Sequence, residues 1–358
     1  MAVHISDLLI DTYRGIKNLE MHNLSDINII TGDNNCGKTS IMEVFKNLNN
    51  INDINTWLDD IRGGHHKMLP YDVMENLFNI DSDRKELSYG VKKAISKEFL
   101  SLRLEAVREV SILSKNELRE IASFPNDYNK EVCRFSYRIY CNNLCEKKGM
   151  VYNFPTPNIR GGNNSKKLTL VKVKYISPVE HITGDVYLPK VLDSGELYQE
   201  MLALLKEFDK NIISINTEKI NHPYRNRKVY KVLVKGQKKE LPLDVYGDGM
   251  KKAIFLMNAV VIAKDGILLL DEFETAIHPS EMNKVFSWIL KTCQRFNIQL
   301  FLTSHSKEAI DKLLKCVPEF QNMIRVITLY KKENETVARV LEGREAIEAQ
   351  DDLGLELR

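Results

Sequence analysis

The residues best suited to chemistry are Thr31-Gly32-Asp33-Asn34-Asn35-Cys36-Gly37-Lys38-Thr39-Ser40. They match G-x-x-x-x-G-K-[ST] at every fixed position, after a mostly apolar run at 27–30 and before helical spacing at 40–45. Such a loop wraps backbone N–H groups around phosphates and opens onto the positive end of a helix. Gly32 and Gly37 allow dihedrals that a side chain would forbid. Lys38 is placed to reach the β- and γ-phosphates, and the Thr39 hydroxyl to ligate Mg²⁺. The stretch therefore predicts binding of a nucleoside triphosphate.

A second chemical cluster follows far along the chain. Gly266-Ile267-Leu268-Leu269-Leu270-Asp271-Glu272 reads as a strand buried on both faces that ends in two carboxylates. Asp271 is placed to hold Mg²⁺ through water beside Thr39, and Glu272 to polarise the water that attacks the γ-phosphate. The next apolar strand, 298–302, ends in Thr303-Ser304-His305-Ser306, where His305 is placed to contact the γ-phosphate. Between these parts, Gly247 and Gly249 flank Asp248 at the start of an apolar helix, a second anion cradle. One loop already serves the nucleotide in cis, so the second is expected to cap a nucleotide held by another subunit.

These clusters need elements to position them. Residues 3–31 read as three short strands leading into the loop, and the loop helix runs to about Leu48. The segment 51–125 reads as mainly helical and charged, except that Leu100, Leu102 and Leu104 alternate with polar residues. Strand alternation follows at 132–141, 150–154 and 168–176, with a polar, glycine-containing loop at 158–167. A helix is expected over 195–209 and a hairpin over 229–234 and 240–243. The basic stretch 221–240, with Arg225, Arg227, Lys228, Lys231, Lys235, Lys238 and Lys239, reads as a solvated hairpin face in preference to a phosphate-backbone contact.

Composition narrows the class. At 358 residues the chain exceeds the usual size of one domain, yet one enlarged domain or a domain plus insertion also fits, and its 43% hydrophobic and 28% charged content is that of a globular protein. A net charge of +2 makes no global case for nucleic acid or membrane. No apolar run reaches bilayer length, and the N-terminus lacks the charge and apolar core of a signal peptide. Six cysteines, one of them Cys36 inside the loop, predict a reducing cytoplasmic setting without a disulfide framework. Cys141 and Cys145 form a close pair with no second cluster, which makes a poor zinc site.

The order of motifs resembles the ABC-type ATPases of the RecF, SMC and OLD-like AAA group. Tyr13-Arg14-Gly15-Ile16-Lys17-Asn18-Leu19 looks like their opening strand, and Gly247-Asp248-Gly249-Met250 resembles their signature loop. Leu269 to Glu272 resembles their Walker B strand, Glu274-Thr275-Ala276-Ile277-His278-Pro279 their D-loop, and Thr303 to Ser306 their switch-histidine segment. Tyr246 stands where many relatives place a serine, and no Q-loop glutamine is identified. Within the group it looks most like the compact ATPases of bacterial phage-defence modules, such as the ATPase subunit of the PARIS system.

The resemblance implies an α/β P-loop fold: an ABC-type head with an antiparallel β-lobe, a parallel α/β core and a helical insertion. Its expected boundaries are a head over 1–50 and 168–358, a mainly helical insertion over 51–130, and strands over 131–178 that return to the head. It implies ATP and Mg²⁺ as cofactors, held by Gly32 to Ser40, Gly247, Asp248 and Gly249, with Thr39 and Asp271 on the metal. Lys38, Glu272 and His305 would act in hydrolysis. The expected partners are a second copy, as a dimer or higher oligomer with ATP sandwiched between heads, and a separate effector of the Toprim-nuclease type, since the chain after His305 offers only a completed head. The leading expectation is a sensor or scaffold ATPase of anti-phage defence. The competing ones are a DNA-repair or DNA-clamping ATPase, and a nucleotide-gated module with negligible turnover.

Overall fold

A computed structural model describes residues 3–58, 69–78, 85–121, 130–155, 167–183, 188–220, 227–246, 248–275, 277, 279–333 and 335–351. Strands β1 (Ile5–Tyr13), β2 (Ile16–Met21) and β3 (Ile27–Gly32) lead into helix α1 (Lys38–Asn47). Helices α2 (Ile54–Leu58) and α3 (Pro70–Leu77) precede β4 (Lys85–Lys93), β5 (Phe99–Leu113) and α4 (Lys115–Ile121). Then come β6 (Lys130–Cys141), β7 (Leu144–Tyr152), β8 (Val173–Ile176), α5 (Pro178–Thr183), α6 (Pro189–Leu192) and α7 (Gly195–Phe208). Strands β9 (Ile212–Ile220), β10 (Arg227–Val234) and β11 (Leu241–Pro242) are followed by α8 (Asp248–Ala263), β12 (Ile267–Leu270) and α9 (Pro279–Arg295). The last described elements are β13 (Gln299–Thr303), α10 (Lys307–Lys315), β14 (Ile324–Lys332), β15 (Glu335–Glu342) and α11 (Gly343–Asp351).

The core sheet has the order β15-β14-β3-β13-β12-β8. Its strands run parallel except for β15, which returns antiparallel beside β14. Alternating side chains divide between two faces, as the two-residue period of a strand requires. Ile267, Leu269, Phe301 and Ile30 join the cluster that contains α1, where the Phe45 and Phe301 rings lie 4.1 Å apart. Leu268, Leu270, Leu300, Leu302, Ile27 and Ile29 face the other way, among residues of α8, α9 and α10. The uninterrupted apolar runs of β12 and β13 follow from that two-sided burial.

A second sheet, β2-β1-β4-β5-β6-β7, is antiparallel and caps the α1 side of the core. Here the expectation of a mainly helical 51–130 is corrected. Its described residues hold the short helices α2, α3 and α4, but β4 and β5 are long strands of this sheet. The period shows why: Leu87, Tyr89 and Val91 on β4, and Leu100, Leu102, Leu104 and Ala106 on β5, are all buried at two-residue spacing. Strands β6 and β7 lie in the same sheet, whereas β8 joins the core. The strand expected from residue 168 begins at Val173, because Leu168 and Leu170 bond instead to the chain around the end of α1: Ile51 N donates to Leu168 O and Leu170 N to Leu48 O. The loop expected at 158–167 lies outside the described residues, apart from Lys167. The hairpin expected at 229–243 is present as β10 and β11, with β9 as an additional partner of β10.

Gln299 ties the two sheets together at the start of β13. Its carbonyl accepts from the amides of His4 and Ile5 at 3.0 and 2.9 Å, and its amide donates to the carbonyls of Ile5 and Ser25 at 2.8 and 3.0 Å. This buried side chain is thereby satisfied on both ends.

Candidate active site

Strand register brings the motif residues to one edge. β3 pairs with β13 (Ile30 opposite Thr303), and β13 pairs with β12 (Leu302 opposite Leu270). The phosphate loop, the segment Ser304-His305 and the acids Asp271-Glu272 therefore leave the C-terminal ends of three consecutive parallel strands. Two strand spacings, roughly 10 Å, separate the chain positions of Gly32 and Asp271 across the sheet. Helix α8 precedes β12, and its Lys252 feels the charge of Glu274, just beyond the tip of β12.

The loop is built by backbone conformations that few residues tolerate. Gly32 has φ +132°, and a Cβ there would meet the Leu329 carbonyl oxygen at 2.2 Å. Gly37 has φ +109° and caps α1 without a side-chain hydrogen bond, and no acid occupies the first turn of that helix. Ile41 N donates to Gly37 O, so the helical ladder of α1 starts directly from the loop. An uncapped, acid-free helix start of this kind fits a polyphosphate. Lys38 is 6% exposed, and its ammonium donates to the carbonyls of Gly32 and Asp33 at 2.6 and 2.8 Å. Cys36 is buried beneath the loop, its Sγ 3.8 Å from Lys38 Nζ. Asp33 and Asn34 are exposed on the loop's crest, and Asn35, also exposed, has φ +63°.

Asp271 is 2% exposed, and both its oxygens accept hydroxyl hydrogen bonds. Thr303 donates to Oδ1, and Tyr175 to Oδ2 at 3.1 Å. Burial first, then the Asp271 charge, pushes the Tyr175 phenol far above its ordinary range, so it remains a donor. Glu272 follows in the left-handed region (φ +48°), its amide donating to Thr303 Oγ1 at 2.8 Å. Thr303 thus fixes the turn that carries both acids, while Glu272 itself is partly exposed. His305 is exposed; its amide and the Ser304 hydroxyl both donate to Glu274 Oε1, at 3.3 and 2.8 Å. A single buried carboxylate suits Mg²⁺, which keeps waters and phosphate oxygens in its shell. Among the described residues no cluster of three or more His, Cys, Asp or Glu could form an all-protein metal cage.

Gly247 lies outside the described residues, and Asp248 and Gly249 open α8 with side chains that are not described. Lys252, in the first turns of α8, is 3% exposed, and burial pushes its ammonium down to about 7 against the pull of Glu274. Tyr175 escaped sequence reading, and the motifs name Arg14, Thr303 and Glu274 without the partners that the fold gives them. Arg14 pairs with Glu43 of α1 (Nη2 to Oε1 2.9 Å, Nε to Oε2 2.6 Å), linking the opening turn to the loop helix. Tyr175, Thr303 and Glu274 act across strands, and only the register reveals their partners.

Edge chemistry on a parallel core, with an antiparallel lobe on the α1 face, defines a P-loop NTPase head of the AAA kind. Residues 27–311 match the family described as "AAA domain, putative AbiEii toxin, Type IV TA system", and the chain belongs to that family. It is similar to a Helicobacter pylori protein named ATP/GTP phosphatase, with 25% identity over 95% of this chain and 96% of that one. A Methanocaldococcus jannaschii protein described as uncharacterized is 33% identical over 31% of this chain and 98% of its own length. Among solved structures, an SMC head bound to the C-winged helix domain of ScpA overlaps with TM-score 0.49 and 12% identity, over 96% of this chain and 99% of that one. The SMC head domain from Thermotoga maritima overlaps with TM-score 0.47 and 10% identity, over 95% and 100%. The strand order, and not these overlaps, carries the fold assignment. Among the described residues no helix is long and apolar enough to cross a membrane.

Proposed function

We propose that this protein binds and hydrolyses ATP with Mg²⁺, and that the bound nucleotide governs association of two heads. The observation that carries this reading is the shared edge: the phosphate loop, Asp271-Glu272 and Ser304-His305 end neighbouring parallel strands. Phosphoryl transfer to water is mostly positioning and charge neutralisation. In that scheme Lys38 and the amides of Gly32 to Ser40 hold the phosphates, Thr39 and Asp271 hold the metal, Glu272 polarises the attacking water, and His305 contacts the γ-phosphate. Gly247, Asp248 and Gly249 cap the nucleotide of a second copy. The name of the Helicobacter pylori relative, ATP/GTP phosphatase, supports hydrolysis in general, so both nucleotides belong in the assay.

The biological reading is a cytoplasmic sensor or scaffold ATPase of anti-phage defence, acting with a separate effector. It is supported by the toxin–antitoxin description of the family. The exposed Lys235, Lys238 and Lys239 on the turn between β10 and β11 favour one second reading, a DNA-clamping ATPase. Lys231 of the same stretch is already paired across the strands with Glu218, which weakens it. Glu272→Gln decides the central point. It is expected to stop phosphate release, keep ATP bound and shift the protein to a dimer in sedimentation. Phosphate release absent in the parent as well would make this a binding module, and ATP without effect on sedimentation would end the association reading.

A further inference from the structure

The carboxylate of Asp271 is gripped from both sides. β12 lies between β8 and β13, with Leu270 opposite both Ile176 and Leu302, so each neighbouring strand can reach the acid at its tip. Thr303 of β13 donates to Oδ1 and Tyr175 of β8 to Oδ2, at 3.1 Å for the tyrosine. Neither donor is loosely held. Thr303 Oγ1 also accepts the Glu272 amide at 2.8 Å, and the Tyr175 ring carries the Lys46 ammonium 5.8 Å from its centroid. Lys46 lies in the last turn of α1, the helix that begins with Lys38 and Thr39, so the tyrosine also faces the helix that follows the phosphate loop.

The chemistry of the donors matters as much as their number. A lysine or arginine on this carboxylate would neutralise it and compete with a divalent cation. Two neutral hydroxyls orient it and leave its charge intact. A carboxylate offers about four lone-pair sites, so each oxygen keeps capacity after accepting one hydroxyl. Groups behind a metal ligand set its direction and its affinity.

We propose that Tyr175 and Thr303 are positioning residues that hold the Asp271 carboxylate in the orientation in which it takes Mg²⁺. This rests on the nucleotide-site reading above. The test is ATP binding by the full chain, by calorimetry, with and without Mg²⁺, together with Mn²⁺ binding followed by paramagnetic resonance. Tyr175→Phe is expected to keep metal-free ATP affinity within about twofold and to raise the Mg²⁺ and Mn²⁺ needed for half-saturation by about tenfold. Thr303→Val should shift the metal titration in the same direction, and Thr303→Ser should restore it. An unshifted metal titration in Tyr175→Phe overturns the proposal. If that variant loses metal-free ATP binding as well, the Thr303 pair decides, and equal titrations for Val and Ser overturn it. A parent protein that binds no ATP under either condition would instead remove the nucleotide reading on which the proposal stands.

Discussion

The two large sheets solve different problems. Every residue of β3, β12 and β13 is buried, with apolar partners on both faces. In the antiparallel sheet β5 is buried at alternate positions as far as Ala106, then opens: Val107, Val110 and Ile112 are 52%, 58% and 74% exposed. A strand clamped on both faces cannot slide or rotate without losing packing on each, so the chain leaving its tip starts from a fixed point. That is where the loop, the acids and the histidine segment stand. The one-sided sheet shields the helix that bears the loop and contributes Arg14 from its first turn, but among the described residues its long strands end without a comparable cluster.

This contrast can be broken at several scales. The largest expected difference is chemical: Glu272→Gln should lower kcat by about 10²–10⁴-fold, the range for a lost general base. Glu109→Gln, which removes a carboxylate paired with Arg134 on the antiparallel sheet, should leave kcat unchanged. Steady-state phosphate release measures both. Next comes packing. Phe301→Ala should cost about 3–5 kcal/mol in denaturant unfolding, because its ring packs against Phe45 from a strand with no slack. Val107→Thr on the open part of β5 should stay within about 0.5 kcal/mol. Equal losses would show that the two sheets are equally constrained.

A smaller effect is read in pH. Lys252 has its ammonium pushed down to about 7 from 10.5 by burial. Between those values the unfolded chain holds a proton that the folded chain lacks, so stability rises with pH across that window. Below about 7 both states are charged and the full cost of burying the charge is present. Lys252→Met should therefore stabilise the protein at pH 7 and below, and the advantage should fade toward pH 10. Parallel stability curves for the two proteins would refute that.

Much of the core was legible because its physics is local. Four aliphatic residues in a row before Asp271, or Leu300 to Leu302 before Thr303, admit few readings besides a doubly covered strand. The loop is legible for the same reason, since its glycines carry dihedrals that other residues avoid. The antiparallel sheet was harder to read. β4 mixes Ser88, Gly90 and terminal lysines into its alternation, and the distal half of β5 exposes apolar residues that a solvated face would not carry. β9 has its apolar partners in β10 and α7, which only the folded chain supplies. The grip on Asp271 was hidden for a different reason: Tyr175 lies 96 residues away, and only the pairing of β8 with β12 brings it near.

The central claim is that Lys38, opening the helix that follows a doubly buried strand, holds a nucleotide. Equilibrium titration of ATP with Mg²⁺ against the parent and Lys38→Ala tests it most directly. Saturable binding by the parent, weakened at least about a hundredfold in the variant as expected for lost charge-assisted bonds, is the predicted result. Equal affinity in the two proteins, both folded, would contradict it.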